Sequence, residues 1–106
     1  MQIDVKFKRI DQSLPVPTYQ TEGSVAFDLY SREDLEIPAG QIKLIPSNVC
    51  MQIPAGFALL VCSRSSAPRK KGLSKPHGIG VIDQDYCGDQ DEIMIQMYNF
   101  TSQVVQ

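Results

Sequence analysis

Two short segments hold the side chains best suited to chemistry. One is Gly80-Val81-Ile82-Asp83-Gln84-Asp85-Tyr86-Cys87-Gly88, where two carboxylates flank a polar residue and a tyrosine follows. In a strand the two-residue period would put Asp83 and Asp85 on one side. One of them is then expected to be structural, bonded to a turn amide or a cation, leaving the other as a base. A carboxylate beside a bound phosphate chain can take a proton from water as that water attacks phosphorus, so one aspartate and one positioned water suffice. The other segment is Ser63-Arg64-Ser65-Ser66, followed by the cationic run Arg69-Lys70-Lys71. A guanidinium is a planar fork of donors matched to phosphate oxygens. Hydroxyls and backbone amides can hold the remaining oxygens, and a short helix starting here would add its free N–H groups. Taken separately, each segment is also a common surface turn.

Other chemistries lack their residues. The sole histidine, His77, sits in a Pro-His-Gly turn with no local partner for a nucleophile triad. Cys50, Cys62 and Cys87 are odd in number and contain no Cys-x-x-Cys pair, so neither a disulfide framework nor a zinc site is expected. They read as thiols of a reducing compartment. Gly72, Gly78, Gly80 and Gly88 fit neither a Walker nor a dinucleotide pattern.

The elements that must position these segments are short strands. Alternating or continuous apolar stretches occur at residues 3–8, 41–45, 57–61 and 92–98, and the terminal Thr101–Gln106 is also strand-like. Turn formers separate them, among them two Pro-Ala-Gly turns at 38–40 and 54–56 that echo each other without forming a repeat. This spacing predicts an all-β fold, a distorted jelly-roll barrel or sandwich, with at most one short helix near 65–71 limited by Pro68. With 106 residues, 42% hydrophobic and 21% charged, the chain is expected to be one domain over residues 1–106. A domain this small buries only about two-thirds of its unfolded surface, so cover from neighbouring subunits would add to its stability. The net charge of −2 argues against general nucleic-acid binding but leaves room for a single nucleotide. No apolar run has signal-peptide or membrane-span length, which places the protein in the cytoplasm.

Together, Ala26-Phe27-Asp28-Leu29, Arg64-Ser65-Ser66 and Gly80 to Gly88 resemble the three ordered motifs of the trimeric dUTPase family, from about Pro15 to the last residue. The resemblance implies hydrolysis of dUTP to dUMP and pyrophosphate. In it, Asp83 orients and deprotonates the water that attacks the α-phosphorus, and Tyr86 packs under the deoxyribose where a 2′-hydroxyl would not fit. Backbone groups of the hairpin from His77 through Gly80, Val81 and Ile82 pair with uracil. Arg64, Ser65 and Ser66 hold the phosphates, Met94 lies beside the base, and Asp28 positions Mg²⁺ through coordinated water. It also implies a homotrimer whose sites combine the Arg64 loop of one subunit with the Asp83 hairpin of another.

The sequence departs from that pattern at several points. His77 stands where many members carry asparagine, Ala26 replaces a glycine, and Asp89-Gln90-Asp91 adds about three residues that could bulge. The family pattern continues into a further strand and a Gly-rich arm beyond the residue matching Gln106, so the domain reads as cut before them. Two alternatives follow: a related dCTP deaminase, whose Arg-Ser-Ser-x-x-Arg loop Arg69 fits, and a binding fragment lacking the lid. Against the deaminase, Gln96 occupies the place of that family's proton-transferring glutamate and cannot act as a base.

Overall fold

The computed structural model describes residues 2–106. In chain order its elements are β1 (Lys6–Arg9), β2 (Ile42–Pro46), β3 (Val49–Gln52), β4 (Leu59–Val61), a π-helical turn (Ala67–Lys71), β5 (Leu73–Ser74), β6 (Gly80–Ile82) and β7 (Met94–Asn99). The strands form three small antiparallel sheets, ordered β1-β3, β2-β7-β5 and β4-β6. The fold is therefore the all-β, jelly-roll type expected, and its one helical turn falls inside 65–71.

Turn chemistry accounts for much of the path. The two Pro-Ala-Gly sequences make the same turn twice: Gln41 N–H donates to Pro38 O (3.2 Å) and Phe57 N–H to Pro54 O (3.1 Å). In both, the glycine takes a positive φ, 72° at Gly40 and 87° at Gly56, as the second corner of such a turn requires. Asn48, with φ of 73°, makes the tight step from β2 to β3, a left-handed position that asparagine tolerates better than other side chains.

β3 runs through the centre. Val49, Met51, Ile53 and Ile93 form the buried core, with Phe27, Leu29, Leu59, Val61 and Ile82 packed against it. Because Val49, Cys50 and Met51 are all buried, β3 shows no alternation, which is why its sequence does not announce a strand. β1 begins at Lys6 rather than residue 3. Thr101–Gln106 is not the strand its composition suggested, since only Val105 bridges Ile37. Asn99 governs that segment instead: its Nδ2 donates to Ile37 O (2.8 Å) and Gln103 O (2.6 Å), while its Oδ1 accepts from Thr101 N–H (2.9 Å) and Oγ1 (2.7 Å). With every polar atom of a fully buried amide bonded, the chain turns there instead of continuing β7. Among the described residues, no helix is long and apolar enough to cross a membrane.

Ile93 has no exposed surface and joins β7 to the central strand through Ile93 N–H donating to Val49 O (2.9 Å). Ile93→Ala is expected to lower folding stability by about 2–5 kcal/mol, the range for truncating a core aliphatic. Chemical denaturation will show this as a reduced midpoint with little change in slope.

Candidate active site

The register of β4 against β6 determines which candidate residues meet. Leu59 pairs with Ile82, Leu60 with Val81 and Val61 with Gly80. Leu59, Val61 and Ile82 turn inward to the core, so Leu60 and Val81 face outward as an apolar pair, 59% and 56% exposed. Beyond the ladder, Arg64 follows the Val61 end and Asp83 follows the Ile82 end, so the two leave it at opposite ends.

At the first end, Arg64 Nη1 lies 3.5 Å from Asp28 Oδ2. Both line a pocket of about 360 Å³ whose wall includes Phe27, Leu59, Val61 and Ile95. The pair is solvent-accessible, with Arg64 76% and Asp28 35% exposed, so it is a loose contact that either partner can leave. Sequence reasoning assigned these two residues separate roles, and the fold brings them together. Cys62 and Ile95, which also line this pocket, were not foreseen. Ser65 and Ser66 follow in the turn before the π-helical residues. Two positions at the helix start have no free amide to offer. Ala67 N–H already donates to Arg64 O (3.0 Å), and Pro68 has no N–H to offer.

At the second end, Asp83 and Asp85 do not lie in a strand. β6 stops at Ile82, and Tyr86 N–H donates back to Asp83 O (3.2 Å) to form a turn. Both carboxylates are exposed. The side-chain bonds of this turn run from Tyr86 to Glu92 O and from Gly88 N–H to Asp91. Asp85 faces a different groove, shared with Lys6 and Gln52. His77 is exposed in a turn closed by Gly78 N–H donating to Lys75 O (3.2 Å), and its Nε2 reaches over Gly80. Met94 lies in the sheet of β2, opposite Pro46, not in that of Gly80, Val81 and Ile82. Among the described residues, no three His, Cys, Asp or Glu side chains gather to hold a metal ion. Cys50 is buried and Cys62 and Cys87 are exposed, all as free thiols.

Tyr86 is held where it stands. Its hydroxyl donates to Glu92 O (2.7 Å), and burial pushes its phenol above the ordinary range. Glu92 is itself clamped: Arg32 Nε and Nη2 donate to its two carboxylate oxygens at 2.8 and 3.0 Å, and Asn48 N–H donates to Oε2 at 2.7 Å. Arg32 is 28% and Glu92 11% exposed at the side chain, making this the least accessible ion pair among the described residues. Neither residue stood out in the sequence. Arg32 sits in Ser31-Arg32-Glu33-Asp34, which reads as a solvated charge cluster, and its partner is 60 residues away.

Comparison with known proteins shows what the chain is similar to. The dUTPase family profile matches residues 12–106. The deoxyuridine 5′-triphosphate nucleotidohydrolase of Dictyoglomus turgidum is 41% identical over 104 residues, covering 94% of this chain and 69% of that protein. Its Lactococcus lactis counterpart is 37% identical over 105 residues, covering 96% and 70%. The crystal structure of dUTPase from Streptococcus mutans superposes with a TM-score of 0.86 at 39% identity, covering 93% of this chain and 82% of that one.

The Arg32 guanidinium and the Asn48 amide hold the Glu92 carboxyl below its ordinary value of 4.5. A depressed carboxyl contributes stability that is complete above its unfolded pKa and is lost as pH falls through the folded one. Glu92→Gln is therefore expected to lower the thermal midpoint at neutral pH, with the two proteins converging as the pH drops below about 4. A gap that stays constant across that window would show that the charge contributes nothing.

Proposed function

This chain belongs to the dUTPase family, and from that premise we propose that it hydrolyses dUTP to dUMP and pyrophosphate within one domain spanning residues 1–106. The observation that carries the reading is the β4-β6 ladder. It separates an end with Arg64, paired to Asp28, from an end with Asp83 and the anchored Tyr86, which supports a phosphate-holding role for the first and a base for the second.

Asp83 accepts the proton of a water whose oxygen attacks the α-phosphorus. The bond from that phosphorus to the bridging oxygen breaks, pyrophosphate leaves, and dUMP keeps the new oxygen. An unbonded, exposed carboxylate suits this role, because it has no competing partner to displace. Arg64, Ser65 and Ser66 bind the phosphate chain. The uracil edge pairs with backbone groups of Gly80, Val81 and Ile82. β6 supports this, since it bonds to β4 on one edge only and leaves its other row of N–H and C=O groups open. His77 borders that edge, Tyr86 lies under the deoxyribose, and Met94 flanks the base.

The residues present fit a magnesium ion held through water. Magnesium keeps most of its waters and binds through one or two carboxylates plus substrate phosphates, and Asp28 is a single accessible carboxylate beside Arg64. When bound, the ion would neutralise phosphate charge.

With Arg64 and Asp83 leaving the ladder at opposite ends, the proposed site is completed by a second copy within a homotrimer. The exposed surface supports this assembly. The chain exposes 7397 Å², against about 5,900 Å² expected of a compact monomer of its mass. Much of the excess is apolar, including the outward Leu60 and Val81 and the 98% exposed Val25.

Incubation with dUTP and Mg²⁺ is expected to release pyrophosphate and no ammonia, and Asp83→Asn to slow turnover by about 10²–10⁴-fold, the range for losing a general base. Ammonia release from dCTP, or full activity in Asp83→Asn, would contradict the proposal.

A further inference from the structure

The inference concerns how the chain fixes Tyr86, and it rests on the reading that Tyr86 borders the sugar. A tyrosine ring discriminates against a 2′-hydroxyl only if it is held still, because a ring that can retreat leaves room for the extra oxygen. Tyr86 lies in an exposed turn, and the residues after it are a polar excursion, Asp89-Gln90-Asp91, with Asp91 Oδ2 accepting from Gly88 N–H (2.9 Å). Tyr86 itself is 37% exposed. Its fixed point is the bond from Tyr86 Oη to Glu92 O (2.7 Å), at the far end of that excursion.

The peptide carrying this carbonyl is held from two sides. On one side Ile93 N–H donates to Val49 O in the core (2.9 Å). On the other, the Glu92 carboxylate accepts from Arg32 through two nitrogens and from Asn48 N–H. Arg32 is in turn anchored by its own N–H donating to Pro46 O (2.8 Å). The chain of contacts therefore runs from the end of β2 through Arg32 and Glu92 to the tyrosine hydroxyl.

We propose that Arg32 and Glu92 are positioning residues for sugar selection, holding Tyr86 by its hydroxyl so that the ring excludes a ribose. Neither touches the nucleotide; both act through the place of one carbonyl oxygen. A bidentate guanidinium–carboxylate pair suits this task, because its planar geometry fixes orientation as well as distance.

The test compares kcat/KM for dUTP and UTP in the full chain and in Tyr86→Phe, Arg32→Ala, Arg32→Lys and the double variant Arg32→Ala with Tyr86→Phe. Tyr86→Phe and Arg32→Ala are each expected to reduce the dUTP preference by roughly three- to tenfold, the span of one neutral hydrogen bond. Arg32→Lys should recover only part of it, because an ammonium keeps the charge without the planar fork, and the double variant should be no worse than the poorer single one, because Arg32→Ala and Tyr86→Phe remove the same anchor. An unchanged preference in Arg32→Ala, or additive losses in the double variant, would overturn the proposal. A second readout needs no turnover: NMR titration of isotope-labelled tyrosine, with Tyr86 assigned by its Phe variant. Loss of the anchor in Arg32→Ala should lower the pH at which the Tyr86 phenol titrates, and an unchanged titration overturns the positioning role. If the wild-type chain releases no pyrophosphate from dUTP, the parent reading fails while this titration still decides the anchor. Should Arg32→Ala not fold, Glu92→Gln is read in the same way on the dUTP preference, and an unchanged preference overturns the proposal.

Discussion

The antiparallel pairing of β4 with β6 constrains everything else about this site. It is only three residue pairs long, yet it settles which groups can cooperate. A hairpin-like ladder separates the residues that extend beyond its two ends, and here those residues are Arg64, the proposed phosphate ligand, and Asp83, the proposed base. On this proposal one copy of the chain carries two half-sites facing different ways. The same ladder sets the inward face, where Leu59, Val61 and Ile82 lock the sheet to the core, and the outward face, where Leu60 and Val81 need cover.

The core is small, and polar contacts do the positioning that apolar packing cannot. Four buried side chains around β3 form its centre. Two networks then extend from it. Asn99 bends the carboxyl-terminal segment back to Ile37, and Glu92 gathers Arg32, Asn48 and Tyr86 around one residue. Asn48 also ties the amino-terminal segment, exchanging bonds with Asp11 through its side chain at 2.6 and 3.0 Å. Buried polar groups with all their partners present favour one arrangement over its alternatives. Tyr86 is thus held by a framework whose other members lie away from the proposed nucleotide site.

Much of this was legible in the sequence. The strands at β2, β4 and β7 follow from alternation, and the paired Pro-Ala-Gly turns from local chemistry. The three ordered motifs that include Asp28, Arg64 and Asp83 identify the family. What the sequence concealed has physical causes. β3 is buried along its length and carries no period. Asp83 and Asp85 leave the strand because β6 ends at Ile82, a boundary set by the register with β4 and not by composition. The Arg32–Glu92 pair joins residues 60 apart, and no local pattern marks either as special. The Asp28–Arg64 contact is similar: each residue was recognisable, but their meeting depends on the fold.

In the proposed assembly each site takes its phosphate-binding arginine and its base from different copies of the chain. Mixing two inactive variants separates this from a site within one copy. Arg64→Ala and Asp83→Asn, unfolded together and refolded as mixed assemblies, should regain activity that neither shows alone. Random mixing in equal amounts restores about one quarter of the wild-type rate, because one site in four receives an intact half from each neighbour. Mixed assemblies no more active than the separate variants would contradict a shared site and place Arg64 and Asp83 within a single protomer's chemistry.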